Sequence, residues 1–322
     1  MPARKIIVVG ASAGGVGALQ TLVAALPAEL QAAVCIVLHV GRQRSELPTI
    51  LARAGPLPAV HAEDGMALEA GHIYVAPPDL HLLVADERLH LRRSPRENLA
   101  RPAIDPLFRS AAAAYGANTC GVILTGLQND GSPGLYELKQ RGGMAIVQSP
   151  QEAQHPDMPR SALEHVDVDY CLPLAEIPSV LTRFAAAAAA AIPSSTEVPE
   201  EPMQQVDYDL ERPVTLGCPD CGGALRRIKQ GTLTQYRCHI GHTYTAATMA
   251  RAQFADMERG IDTALRLINE RAEMCRQMAE SEDVTDAATR QMWQAARREA
   301  ERRAEQMRRL LSSGWLAPEA KA

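Results

Sequence analysis

Continuous apolar runs of strand length alternate with segments of helical character from about residue 4 to about residue 184. Apolar runs without alternating polar positions are typical of strands buried on both faces, and helices between such strands indicate parallel pairing. We therefore predict an α/β fold, in which a doubly wound and mostly parallel sheet is covered by helices on both faces in three Rossmann-like layers. The strands that the pattern predicts most clearly are residues 5–10, 33–39, 72–76, 119–125 and 144–148.

The segments between these strands predict helices and one hairpin. Helical character follows the first strand up to about residue 26, and it returns in residues 102–115, 132–141 and 158–165. Residues 80–93 instead alternate around a polar turn at 85–88, which predicts a polar-faced hairpin added to the sheet.

Composition changes along the rest of the chain and marks further parts beyond the α/β domain of residues 1–184. Residues 185–213 pass from alanine to proline, serine and acidic residues, which predicts a flexible acidic linker. Residues 214–247 hold a compact set of cysteines and histidines. Residues 248–316 carry apolar side chains at spacings of three and four, with an interruption near 281–285, and so predict a pair of amphipathic helices.

Length, charge and cysteine content exclude several classes of protein. The 322 residues contain no apolar run of the length that a membrane-spanning helix needs, and no secretory signal precedes the first strand. The formal net charge of -5 gives no reason to expect a nucleic-acid partner. Seven cysteines, an odd number without a signal, indicate a reducing compartment in which clustered cysteines bind metal more often than they form disulfides. We therefore expect a cytoplasmic protein without membrane insertion.

A small-residue turn follows the first strand and carries a serine. Gly10-Ala-Ser12-Ala-Gly14 has the G-x-S-x-G spacing of a nucleophile on a tight strand-to-helix turn. The alternative is a glycine-rich phosphate loop. Its G-x-G-x-x-G spacing is absent here, and no acidic residue ends the second strand where a ribose would need one. The motif favours Ser12 as a nucleophile.

A base and a carboxylate for this serine are found at the ends of other strands. His39 ends the second strand, and Asp130 follows the strand of residues 119–125. Carboxyl ends of parallel strands meet at one edge of the sheet, so these side chains can converge with Ser12 into a triad. Asp105 and Asp64 could replace Asp130, but a helix start and a turn explain them better. The order of the three residues along the chain is not that of α/β-hydrolases.

Cysteine and histidine spacing in residues 214–247 indicates a metal site. Cys218 and Cys221 form a C-x2-C pair, and Cys238 and His242 form a second pair. Three thiolates and one imidazole are a closed tetrahedral set for Zn2+, so we predict a structural zinc in a ribbon-like module. His239 is expected to point away, and a redox dithiol remains the alternative.

Several further blocks follow one another in order across residues 6–184. They are Gly10-Ala-Ser-Ala-Gly-Gly15, Leu38-His-Val40, Ala62-Glu-Asp-Gly65, Gly71-His-Ile-Tyr-Val-Ala-Pro-Pro78, His81-Leu82, Arg101-Pro-Ala-Ile-Asp-Pro-Leu-Phe108, Leu124-Thr-Gly-Leu-Gln-Asn-Asp-Gly131 and Met158-Pro-Arg-Ser-Ala162. On these blocks the region resembles the catalytic domain of the chemotaxis protein-glutamate methylesterase family (CheB type). The resemblance implies Ser12 as nucleophile, His39 as base and Asp130 as the orienting carboxylate, with no cofactor for catalysis. It also implies γ-glutamyl methyl esters on the cytoplasmic helices of chemoreceptors as substrates, and deamidation of receptor glutamines as a second activity.

The chain departs from the family pattern around the serine and in the loop before Asp130. Family members often carry threonine where Ala13 stands, so the resemblance leaves only backbone N–H groups, at Ala13 and Leu127, to bind an oxyanion. Gln128 occupies a position that is glycine in the usual pattern, and glycine-only torsions are costly for glutamine. The family's receiver domain is not found before the first strand, so control by an attached receiver is not expected. An esterase-like scaffold without catalytic activity is the alternative function.

The parts after residue 184 are expected to serve the esterase domain. The mixed charges of the terminal helices indicate a solvated surface. The functional alternative is that these helices bind partners, such as other chemotaxis signalling proteins. A flexible linker would let the ribbon and helices either cover the Ser12 crevice or recruit the enzyme to receptors. Since the linker has no apolar anchor, we expect recruitment.

Overall fold

A computed structural model describes residues 3–39, 45–190, 216–282 and 285–312. The chain forms two compact units, Met1–Met249 and Ala250–Ala322. No helix among the described residues is both long enough and apolar enough to cross a membrane.

Parallel strands and covering helices make up most of the first unit. The elements are β1 (Ile6–Ala11), α1 (Gly15–Ala24), β2 (Ala33–Leu38), α2 (Leu47–Ala54), β3 (Ala59–His61), β4 (Ile73–Val75), β5 (His81–Ala85), β6 (Arg88–Arg92), α3 (Ile104–Tyr115), β7 (Thr119–Ile123), α4 (Ser132–Gln140), β8 (Met144–Gln148), α5 (Asp157–His165), β9 (Tyr170–Leu172) and α6 (Ile177–Ala186).

Seven of these strands form one sheet in the order β3-β4-β2-β1-β7-β8-β9. Every neighbouring pair in the sheet is parallel, which confirms the predicted α/β class. The strand order reverses between β1 and β7, so a crevice opens there at the carboxyl ends of the strands. Ligands of open α/β sheets bind at such a crevice.

Both faces of the sheet are buried, as the continuous apolar runs predict. In β1, Ile6 and Val8 face the layer that holds α3, α4 and α5, whereas Ile7 and Val9 face the layer of α1, α2 and α6. Burying one such aliphatic side chain fully contributes about 1.5–3 kcal/mol, so the alternating sets on the central strands hold the three layers together.

The predicted hairpin forms, but it does not join the sheet. β5 and β6 pair antiparallel with each other in a separate two-stranded sheet. Leu82, Val84 and Leu89 are buried and form its apolar face, while Arg88 and Arg92 are exposed, as expected for a hairpin with one polar face. The Val84 N–H donates to Ser110 Oγ on α3 at 3.0 Å, which ties the hairpin to that helix. The hairpin therefore completes a helical layer instead of extending the sheet.

Residues 214–247 were predicted to form a ribbon, and their described part is a small antiparallel sheet. Strands β10 (Leu225–Gln230), β11 (Leu233–Cys238) and β12 (Thr243–Thr245) pair in that order. β12 also lies alongside the α/β domain, since the Asn98 N–H donates to the Thr243 carbonyl at 2.8 Å. This differs from the expectation of an independently tethered ribbon, because the sheet packs within the first unit.

Two helices account for the second unit, as the amphipathic pattern predicts. α7 spans Ala246–Glu280 and α8 spans Ala287–Ser312, with the break near the predicted interruption. Ion pairs such as Arg276 with Glu273 and Arg303 with Glu299 link neighbouring turns of each helix.

The first residues of the predicted linker lie against the α/β domain. α6 continues to Ala186, and the backbone of Ala190 pairs with both polar atoms of the Asn118 amide at 2.8 and 2.9 Å. Residues 191–213 of the predicted linker lie outside the described residues.

Candidate active site

Ser12 sits in a tight turn between β1 and α1, in the crevice where the strand order reverses. The Ser12 N–H donates to the Thr125 carbonyl at 3.0 Å, and the Gly15 N–H donates to the Ser12 carbonyl at 2.8 Å. Gly14 has φ 75°, a left-handed conformation that glycine adopts without strain. A Cβ on Gly15 would lie 2.6 Å from Leu38 Cδ1, so the turn has no room for larger residues.

His39 follows β2 and contacts Ser12 on one side and Asp130 on the other. The backbone N–H of His39 donates to the Ala11 carbonyl at 3.2 Å, which continues the pairing of β1 and β2 by one residue. His39 Nδ1 lies 3.1 Å from Ser12 Oγ, and His39 Nε2 lies 2.7 Å from Asp130 Oδ2. A carboxylate only accepts hydrogen bonds, so Nε2 carries the proton and Nδ1 accepts from the Ser12 hydroxyl. The imidazole thus has the tautomer that a general base needs.

Asp130 is 1% exposed and is surrounded by hydrogen-bond donors. Oδ2 accepts from His39 Nε2 and from the Ile104 N–H at 2.6 Å, while Oδ1 accepts from Asn98 Nδ2 at 2.9 Å. The Asp105 N–H lies 3.4 Å from Oδ1, so the carboxylate faces the first N–H groups of α3. Burial alone would raise the pKa of Asp130, but the His39 contact and the other hydrogen bonds outweigh it and lower the pKa to about 2. Asp130 is therefore ionised at neutral pH.

The two alternative carboxylates have other partners. Asp105 Oδ1 accepts from the Gly131 and Gly134 N–H groups at 3.1 and 2.7 Å and so caps α4. Burial and the nearby charge of Asp130 raise the pKa of Asp105 well above its ordinary value. Asp64 accepts from the Leu91 N–H at 2.9 Å, beside the hairpin. Of the carboxylates weighed, the structure brings Asp130 to His39.

The two residues proposed to donate to the oxyanion come from different loops. Ala13 follows the serine, and its carbonyl accepts from Thr125 Oγ1 at 3.0 Å. Leu127 comes from the loop after β7, where a Cβ on Gly126 would lie only 2.9 Å from Ser12 Cβ. The chain around Leu127 therefore approaches the serine closely because residue 126 has no side chain.

Gln128 adopts the conformation that favours glycine. Its φ is 71°, in the left-handed region, which costs a residue with a Cβ about 1–2 kcal/mol. The loop thus keeps the turn that a glycine would give, and its neighbours Asn129 and Asp130 remain oriented toward the protein interior.

Three residues that hold this site were not predicted from the sequence. Thr125 links the Ser12 turn to the His155 segment, since its Oγ1 accepts from the His155 N–H at 2.9 Å. Asn98 donates to Asp130, and Asn129 accepts from Thr245 Oγ1 at 2.6 Å. Thr125 and Asn129 belong to the block of residues 124–131 that carries Asp130, so the family resemblance could have pointed to them. Asn98 lies in an irregular loop outside these blocks, and no sequence pattern marks it.

The predicted metal ligands lie together in the ribbon. The ligand atoms of Cys218, Cys221, Cys238 and His242 are all within 4.8 Å of one another. The Cys221 and Cys238 sulfurs are 3.7 Å apart, and His242 Nδ1 is 3.5 Å from Cys238 Sγ. Tetrahedral Zn–S and Zn–N bonds of about 2.3 and 2.0 Å require ligand separations of roughly 3.5–3.8 Å, so the donor set fits zinc. His239 is not in this set, and its ring packs over Gly223.

Comparisons with known proteins identify the family of the α/β domain. The family model of the CheB methylesterases matches residues 7–181. A putative protein-glutamate methylesterase/protein-glutamine glutaminase of Leptospira interrogans is 40% identical over 182 residues, which are 56% of this chain and 94% of the relative. Protein-glutamate methylesterase/protein-glutamine glutaminase 3 of Anaeromyxobacter dehalogenans is 42% identical over 165 residues, 50% of this chain and 48% of that protein.

A solved structure has the same architecture. The catalytic domain of the CheB methylesterase of Thermotoga maritima superposes with a TM-score of 0.54 at 33% identity, over 56% of this chain and 97% of that domain. The matched region is the α/β domain that carries Ser12, His39 and Asp130, and the family model spans more than half of the chain. The chain belongs to the CheB methylesterase family.

Proposed function

We propose that the chain hydrolyses γ-glutamyl methyl esters on the cytoplasmic helices of chemoreceptors, with Ser12, His39 and Asp130 as its catalytic triad. The observation that carries the proposal is the chain of two hydrogen bonds, 3.1 Å from Ser12 to His39 and 2.7 Å from His39 to Asp130. It lies in a domain whose relatives are named protein-glutamate methylesterases. The proposed place of action is the cytoplasm, where the methylated receptor segments are found.

In the first half-reaction the ester becomes an acyl-enzyme. His39 Nδ1 takes the proton of the Ser12 hydroxyl as Oγ attacks the ester carbonyl carbon. The carbonyl oxygen becomes an oxyanion, to which we assign the N–H groups of Ala13 and Leu127. Collapse of this intermediate breaks the bond to the methoxy oxygen, which receives the proton from His39 and leaves as methanol.

The second half-reaction releases the glutamate side chain. A water molecule gives its proton to His39 Nδ1 and attacks the acyl carbon. The ester bond to Ser12 then breaks, and Oγ recovers its proton from His39. Asp130 keeps the imidazole in the required tautomer and stabilises its protonated form in both steps.

Deamidation of glutamine follows from the same steps. The carboxamide carbon takes the place of the ester carbon, and ammonia leaves in place of methanol after protonation by His39. Because no residue changes role, we include glutaminase activity in the proposal, as the names of the relatives suggest.

The function is tested by a reagent that reacts with activated serines. A fluorophosphonate probe is expected to label the wild-type chain, because His39 activates the Ser12 hydroxyl. Ser12→Ala should abolish labelling, while Ser179→Ala, a change at an exposed serine of α6, should leave it intact. An unlabelled wild-type chain would favour the alternative of a non-catalytic scaffold.

We also propose that the ribbon holds one structural Zn2+ through Cys218, Cys221, Cys238 and His242. A bound zinc would stabilise the folded ribbon, which has few buried apolar side chains of its own. Ser12 and His39 supply the nucleophile and the base, so the proposal gives the metal no step in the reaction.

Zinc content checks this assignment. Purified protein should retain about one zinc per chain after dialysis, since a closed four-ligand set binds tightly. Cys238→Ser should lose the metal, whereas Cys171→Ser on the exposed edge strand β9 should retain it. Full zinc retention in Cys238→Ser would contradict the assignment.

The two-helix unit is proposed to bind partners, other chemotaxis signalling proteins or the receptor itself. Methionine and leucine side chains remain exposed on its helices, which supports a contact surface. They are Met257, Leu267, Met274, Met278, Met292 and Leu310.

A further inference from the structure

Asn98 links the triad carboxylate to a second buried carboxyl group. Asn98 is only 4% exposed. Its Nδ2 donates to Asp130 Oδ1 at 2.9 Å and to Asp105 Oδ2 at 3.0 Å. One amide NH2 group thus gives a hydrogen bond to an oxygen of each buried carboxyl group, which would otherwise lose a partner away from water. Asn98 therefore joins Asp130 to the start of α3, in addition to the N–H groups of Ile104 and Asp105.

The ribbon determines how the Asn98 amide is turned. Asn98 Oδ1 accepts from the Thr245 N–H at 3.0 Å, so Nδ2 has to face the two carboxyl groups. The reverse orientation would place the amide oxygen against acceptors and leave the Thr245 N–H without its partner. The backbone is held as well, because the Asn98 N–H donates to the Thr243 carbonyl at 2.8 Å.

A second pair of contacts holds the loop that carries Asp130. Thr245 Oγ1 donates to Asn129 Oδ1 at 2.6 Å, and Thr248 Oγ1 lies 3.2 Å from the same oxygen. Thr245 Oγ1 also accepts from the Thr248 N–H at 3.3 Å, as an N-cap of α7 does. Both threonines are buried. The loop with the strained Gln128 is thereby held at Asn129.

We propose that Asn98 and Asn129 are positioning residues for Asp130, and that strand β12 of the ribbon, through Thr243 and Thr245, holds them in place. The ribbon then completes the active site of the α/β domain without touching the substrate. This inference rests on the proposed function, since it concerns the orientation of the triad carboxylate. It replaces the expectation of a ribbon that only recruits the enzyme, and it makes activity dependent on the ribbon's integrity.

The test uses the full chain and steady-state release of methanol from methylated receptor fragments. Asn98→Ala should lower kcat about 10- to 100-fold, the range for losing a hydrogen bond to a charged group, with KM within about twofold of wild type. Thr245→Val, which keeps the backbone contact to Asn98, should lower kcat about three- to tenfold. Thr232→Val is the matched control. Thr232 lies elsewhere on the ribbon, and its Oγ1 is 3.1 Å from Nδ1 of His165, at the end of α5. The substitution should leave kcat unchanged.

A double-mutant cycle separates positioning from a general loss of stability. If Asn98 acts through Asp130, adding Asn98→Ala to Asp130→Asn should lower kcat by no more than about threefold further. Full additivity would overturn the inference, and so would a folded Asn98→Ala variant with wild-type kcat. If Asn98→Ala does not fold, wild-type kcat in Thr245→Val overturns it. A wild-type chain that releases no methanol refutes the proposed function instead.

Discussion

Ser12→Ala is expected to lower kcat for methanol release from methylated receptor by roughly 10⁴-fold or more. The hydroxyl that donates to His39 Nδ1 at 3.1 Å is the attacking group of the proposed mechanism, and alanine supplies no replacement. His39→Ala should cost about as much, because without the base the hydroxyl keeps its proton. The measurement is methanol formed per enzyme in time, at saturating substrate.

The two substitutions together sharpen this prediction. When two residues act as one unit, the effects of their substitutions on kcat do not add. The double variant Ser12→Ala, His39→Ala should therefore be scarcely slower than either single variant. Circular dichroism should match wild type in both single variants, and thermal unfolding should match it in Ser12→Ala, because alanine fits the turn. His39→Ala should unfold at a lower temperature, because it takes a hydrogen-bond donor from the buried Asp130 carboxylate. Wild-type methanol release in Ser12→Ala would remove the mechanism.

The central strands could be predicted because burial on both faces leaves a clear pattern. The segments of β1, β2 and β7 are nearly continuous apolar runs, and every residue of these three strands is buried in the structure. The short edge strands β3 and β9 span three residues each and pair on one side, so no such run marks them. The hairpin was misplaced because alternation shows that one face is buried without showing what buries it. Here α3 does so.

The members of the candidate triad could be found from the sequence by a topological argument. Ser12, His39 and Asp130 each follow a parallel strand, and such strands end at one edge of the sheet. Which histidine nitrogen faces which partner could not be found in this way. It depends on how the His39 ring is turned between its two partners, and in the structure Nδ1 faces the serine and Nε2 faces Asp130.

The ribbon's contribution could not be predicted because it depends on docking between distant segments. The hydrogen bond from Thr245 to Asn98 joins residues 147 positions apart. Neither residue belongs to a motif, and an irregular loop carries no periodicity that would show its partner. The predicted metal ligands, by contrast, lie close in sequence, and their spacing alone predicts a cluster whose ligand atoms lie within 4.8 Å of one another in the structure.

Asp130→Asn is the second change with a large expected effect, of about 10⁴-fold on kcat. Every group that faces the carboxylate is a donor: His39 Nε2, Asn98 Nδ2 and the N–H groups at the start of α3. An asparagine has one oxygen and one NH2 group, so in either orientation its NH2 meets a donor. If the NH2 faces His39, the imidazole proton moves to Nδ1 and the Ser12 hydroxyl loses its acceptor. If it faces Asn98, the oxygen still holds His39, but the charge that stabilises the imidazolium is gone.

Asp64→Asn provides the matched control for this substitution. Asp64 was the other strand-end carboxylate beside a glycine turn, and its side chain contacts the hairpin at Leu91 and Arg92 rather than His39. The same loss of charge there should leave kcat within about twofold of wild type, since exposed ion pairs contribute little. Methanol release and fluorophosphonate labelling should fall together in Asp130→Asn, because both require an activated Ser12. A variant that kept wild-type labelling would show that His39 obtains its orientation without Asp130. The carboxylate would then hold the start of α3 and take no part in the reaction.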